Sequence, residues 1–125
     1  MKAHKWPILE SILLACVLIS CGPTKKGYES AIRNGNEQIL RTNLSNIRGV
    51  IRQYAIDNGA PPKTLSDLVE AGYINEIPPD PMTNKTDWTV VRNHCPALTK
   101  CKEGIVDIHS ASPVKSSKGD SYSDW

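Results

Sequence analysis

Apolar positions along the middle of this chain change period as they go. Leu40, Leu44, Ile47, Ile51 and Tyr54 step by four, three, four and three. That spacing puts all five on one face of an α-helix. Ile32 and Ile39 extend the stripe upstream, and the pattern predicts a main helix over residues 28–57. Gly35 and Asn36, weak helix formers, loosen it locally. Asn58-Gly59 ends it, because glycine tolerates the left-handed conformation of a helix C-terminus. A shorter helix follows from Thr64 to Gly72, with Leu65, Leu68 and Val69 on its apolar face. Thr64-Leu65-Ser66-Asp67 reads as a capping box with Asp in place of Glu. Tyr73 and Ile74 come next and are expected to pack back on the main helix.

Beyond this point the helical period disappears. Ala60-Pro61-Pro62 forces an extended turn. Ile77-Pro78-Pro79-Asp80-Pro81 is no central strand, since proline has no backbone donor; it reads as an ordered connecting loop around the helix end. Residues 88–92 are β-branched and alternating, which predicts a strand. Residues 104–109 predict its antiparallel partner. Residues 110–118 are polar and rich in Ser and Lys, and read as a mobile loop. Tyr122 and Trp125 mark residues 119–125 as a segment docked into the fold.

Length and composition narrow the picture. The 125 residues carry a net charge of +2, too small and too dispersed for a nucleic-acid surface. Arg33, Arg41, Arg48 and Arg52 alternate with the apolar stripe and are assigned to the solvated helix face. Residues 1–20 have the three parts of an export signal: Lys2, His4 and Lys5, then an apolar run from Ile8 to Ile19, then small Ser20. That run of about a dozen residues is shorter than the roughly 20 a spanning helix needs. Residues 21–27 form a tether, and residues 28–125 form the head together with its main helix.

Leu18-Ile19-Ser20-Cys21 resembles a bacterial lipobox, which implies cleavage before Cys21 and diacylation of its sulfur. Two acyl chains hold a protein stably where one does not. Cys95 and Cys101 close a short loop between the two predicted strands; in an exported protein such a pair forms a disulfide. It contributes about 2–3 kcal/mol by loop closure. His94 and His109 are nearby, but the four residues lack the paired spacing of zinc ligands.

The run LRTNL…IRQY at 40–54, DNGAPPKTLSDLVEAGYINEIPPDPMT at 57–83 and DW at 87–88 resembles the major, G-type pseudopilin of type II secretion systems. GIVDIHS at 104–110 and GDSYSDW at 119–125 continue the likeness, which covers roughly residues 27 to 125. More broadly the chain is similar to the type IV pilin-like family. The resemblance implies an α+β fold in which a long N-terminal helix packs on a small antiparallel sheet, with a short second helix. It implies a non-catalytic role in protein secretion, with other pseudopilins and secretion-system subunits as partners. In that family a prepilin peptidase cuts after a glycine and a Glu stands fifth in the mature chain. Glu10 would hold that assembly position if the cut fell after Lys5. Lys5 replaces the glycine, and Lys25 and Lys26 interrupt the apolar helix. So two readings stand: a pseudopilin of the secretion filament, or a lipoprotein whose pilin-like head is a binding or accessory module of the bacterial envelope. Both place the head in the periplasm or outside the cell. Gly22, where some inner-membrane lipoproteins carry Asp, leans toward the outer membrane.

The resemblance also implies a calcium site in the C-terminal loop. Asp107, Ser110, Asp120 and Asp124 are the candidate oxygen ligands, of the hard kind that suits calcium. Lys115 and Lys118 oppose a cation there, and the competing reading makes these residues ordinary surface and turn positions. No phosphate-binding loop, nucleophile elbow or zinc-protease motif occurs, and the expected role is not enzymatic.

Overall fold

The computed structural model describes Gly22, residues 24–97 and residues 99–125. The readings placed on residues 1–21, with Glu10 and Cys21 among them, lie outside the described residues. The elements are helix α1 (Lys25–Asn58), short helix α2 (Ser66–Glu70), strands β1 (Thr89–Arg92) and β2 (Ile105–His109), and a 3-10 turn at Tyr122–Asp124. The architecture is α+β, as expected.

The chain divides into two compact units, residues up to Ile32 and residues from Arg33 onward. In the first, α1 begins three residues earlier than the apolar pattern predicts. Thr24 explains this: its hydroxyl accepts from the Gly27 amide at 3.3 Å and its carbonyl from the Tyr28 amide at 3.1 Å. The side-chain bond meets one of the helix's unsatisfied N-terminal donors, and the carbonyl accepts the first intrahelical bond.

In the second unit, Leu40, Leu44, Ile47 and Ile51 are buried as the period requires. They share one core with Leu68, Trp88, Ile105, Ile108 and Tyr122. Each fully buried Leu or Ile contributes about 1.5–3 kcal/mol. The upstream extension of the stripe is corrected: Ile32 and Ile39 are 47% and 51% exposed. Ile39 lies about 100° around the helix from Leu40, off the covered face. The stripe's true continuation is Glu37, a polar residue in register with Leu40 and 8% exposed.

α1 ends at Asn58, followed by Gly59 at φ 65°. The regular part of α2 is shorter than expected, but its capping box forms. The Asp67 amide donates to the Thr64 hydroxyl at 3.3 Å, and Asp67 Oδ2 accepts from the Thr64 and Lys63 amides at 3.0 and 2.8 Å. Gly72 ends it at φ 79°. Tyr73 packs its ring on Tyr54, 5.5 Å between centroids, and its hydroxyl donates to Asp57.

β1 and β2 pair antiparallel, Val90 opposite Ile108, with a bulge between Val91 and Arg92. The Ile105 amide donates to the Pro62 carbonyl at 2.7 Å, so the Pro61-Pro62 turn lies against β2. Cys95 and Cys101 form the expected disulfide, with Cα atoms 5.4 Å apart. Asn93 organises the same turn, accepting from the Gly104 amide and donating to the Lys102 carbonyl.

The expectation of a mobile loop at 110–118 is corrected. Ser110, Ser112 and Ser116 are all buried. Their hydroxyls accept from the Ser112, Val114 and Lys118 amides respectively, so the serines build the turn rather than solvate it. Lys115 and Ser121 form an isolated bridge, and Gly119 turns the chain between them at φ 94°.

Candidate functional site

The functional candidates gather where the C-terminal segment meets α1. Tyr122 is 3% exposed within the core, and the Trp125 ring sits edge-on against it, 5.2 Å between centroids. Arg41 stacks over Trp125, with its guanidinium carbon 3.7 Å from the ring centroid. Arg48 donates from Nε to Asp107 Oδ1 at 2.6 Å and from Nη2 to the Ile108 carbonyl at 2.7 Å. The assignment of all four arginines to a purely solvated face is therefore corrected. Arg48 ties α1 to β2 and Arg41 covers an aromatic ring, because both side chains are long enough to reach over the edge of the stripe.

Glu37 anchors the seam. Its Oε1 accepts from the Ser117 amide at 2.7 Å and from the Tyr122 hydroxyl at 2.8 Å; its Oε2 accepts from the Ser117 hydroxyl at 2.7 Å. Burial alone would raise the Glu37 carboxyl. The hydrogen bonds from Ser117 and Tyr122, with the Arg41 charge, outweigh it and hold the group below its ordinary value. Tyr122 is pushed up to about 12 by burial and by its bond to the Glu37 carboxylate.

A second buried carboxylate, Asp80, lies under the proline-rich loop at 0% exposure. It accepts from the Ser110 hydroxyl at 2.6 Å, the Ala111 amide at 3.2 Å and the Met82 amide at 2.8 Å. The loop expected to be a rigid connector thus pins the exit of β2.

A groove of about 760 Å³ opens beside the seam. Arg41, Arg48 and Arg52 of α1 line it together with Asp107, Asp120 and Asp124. Three of the four residues implied as calcium ligands are thereby brought to one place, and the fourth, Ser110, is buried against Asp80 instead. Two of the three carboxylates are already engaged. Asp107 holds Arg48, and Asp120 accepts from Ser116 and from Trp125 Nε1. Those last two donors, Ser116 first, hold the Asp120 carboxyl below its usual range. Calcium requires about six to eight oxygen ligands, whereas here three guanidinium groups share the groove with the carboxylates. Among the described residues, no group of three or more His, Cys, Asp or Glu is arranged to hold a metal. The candidate side chains do not by themselves make a calcium site.

His109 and Ser110, adjacent in sequence, do not face each other as base and nucleophile. His109 Nδ1 donates to the Trp125 main-chain oxygen, and Ser110 donates to Asp80. His94 is exposed.

The pattern of the sequence did not single out Glu37 or Asp80. A signal existed for Glu37, which stands three residues before Leu40 on the apolar stripe. For Asp80, set among prolines, the local sequence gives no sign of burial.

No family model, curated protein or solved structure matches the chain.

Proposed function

We propose that this chain is a non-enzymatic, pseudopilin-like component of a type II protein secretion system. The reading rests on the resemblance over residues 27 to 125. The observation that carries it is the way one long helix offers Leu40, Leu44, Ile47 and Ile51 to a small head of short helix, proline loop, strand pair and docked C-terminal segment. These parts follow one another in the order that the resemblance implies. In this reading Glu10 serves assembly, and the partners are other pseudopilins and subunits of the secretion machine. The groove and the seam act as protein surfaces rather than as a reaction centre.

A second reading is favoured by Lys25 and Lys26, which open α1 and are exposed. Among the described residues, no helix is long and apolar enough to cross a membrane. Here the head is anchored in the bacterial envelope through a lipid on Cys21 and serves as a binding or accessory module outside any filament.

Intact mass spectrometry of the mature protein from the membrane fraction separates the two. A chain beginning at Trp6, with a methylated amine, is the outcome expected of a pseudopilin. A chain beginning at Cys21 with added acyl mass removes Glu10 from the mature molecule and overturns the filament role.

A further inference from the structure

We propose that residues 116–125 form a metal-independent latch, closed on α1 by the carboxylate of Glu37. The segment has two sets of bonds and neither needs a cation. Internally, Asp120 receives Ser116 and Trp125 Nε1, while the Ser116 amide donates to the Asp120 carbonyl at 2.7 Å. Externally, Glu37 takes three donors from Ser117 and Tyr122, across 80 and 85 positions of sequence. A carboxylate accepting several hydrogen bonds in a buried setting is a strong fastener, because such bonds to a charged acceptor exceed neutral ones. Of the negative charges that a calcium ion would otherwise bring together, Asp107 is paired with Arg48, and Asp120 feels the charge of Arg41. Closing the latch places Tyr122 in the core and Trp125 under Arg41. Opening it uncovers apolar core and the arginine side of α1 together.

The latch carries its own reporters. Lys115 and Lys118 are exposed, and when reclosing is fast relative to cleavage, trypsin cuts after them in proportion to the population of the open segment. The test is limited trypsin digestion of the full chain in mild detergent, with the disulfide intact, in saturating calcium and in excess EDTA. Cleavage after Lys115 and Lys118 is expected at equal rates in both. In Glu37→Gln it is expected to rise about tenfold or more, since the charged acceptor is lost. Cleavage after Lys63 should stay unchanged, and marks global unfolding if it does not. Should Glu37→Gln lose its helical circular dichroism, Tyr122→Phe carries the test, with an expected rise of about three- to tenfold from one lost donor. Calcium slowing cleavage of the unaltered chain would overturn the latch. So would unchanged cleavage in both variants, or a parallel rise after Lys63 in the folded one.

Discussion

Two buried carboxylates join parts of this chain that lie far apart in sequence, and each predicts a distinct loss. Asp80 is 0% exposed and accepts two amides and a hydroxyl. Asp80→Ala leaves those donors without partners in the interior, at about 1–3 kcal/mol for each one not rescued by water. Urea denaturation should show a midpoint lowered well beyond that of an exposed control such as Asp87→Ala. Equal midpoints would sink the assignment. Glu37 predicts a pH effect. Its folded value lies below the ordinary 4.5, so below that value the unfolded chain binds the proton more readily. The stability it contributes is fully present above the unfolded value and is lost as pH falls through the folded one. Asp67 shifts the same way, led by the Thr64 amide bond. Melting temperature should therefore decline as pH drops through about 5 to 3, and Glu37→Gln should lower it at neutral pH and flatten part of the decline. A melting temperature indifferent to acid would contradict both shifts.

At the level of elements, Gly104 is the glycine with the least room for a side chain among the described residues. A Cβ added there would lie 2.7 Å from the carbonyl oxygens of both Pro61 and Pro62, which are backbone atoms with little freedom to give way. Gly104→Ala should push the proline turn off β2 and cost about 1–3 kcal/mol, as overpacking does; guanidinium denaturation measures it. Cost-free replacement would show that the turn yields more easily than its geometry implies. The elements themselves are largely legible in the order of residues. A 3.6-residue period, a glycine stop, a capping box and two β-branched runs carry their own local physics, and the observed helices and strands follow them. The features that sequence did not reveal depend on tertiary contact. The serines at 110, 112 and 116 resemble a solvated loop until their amide partners are known. Arg48 resembles its exposed neighbours until Asp107 is brought to it over 59 positions. Three of the calcium candidates converged on one groove, but the arginines facing them could not be anticipated from spacing along the chain.

Over the whole molecule, stability is distributed unevenly along one helix. From Leu40 to Ile51 α1 supplies four of the nine buried apolar core residues among the described residues. From Lys25 to Asn34 every described side chain is exposed. The first turn also places Lys25 and Lys26, with no acidic residue, at the positive end of the helix dipole, where cations are unfavourable. An isolated helical stretch that short is marginal in water, because tertiary packing provides most helical stability. Amide hydrogen exchange should accordingly show a gradient within a single continuous element: rapid exchange for residues 28–34 and protection approaching the global unfolding limit for residues 44–51. Purified alone in detergent, the chain should display that gradient sharply. If the early turns serve as a docking face in the envelope, their exchange should slow several-fold when the protein is measured in native membranes. The amides of 44–51, already limited by the core, should not change. Uniform protection along α1 in the isolated chain would mean that the exposed turns are held by something other than the head, and would contradict the gradient.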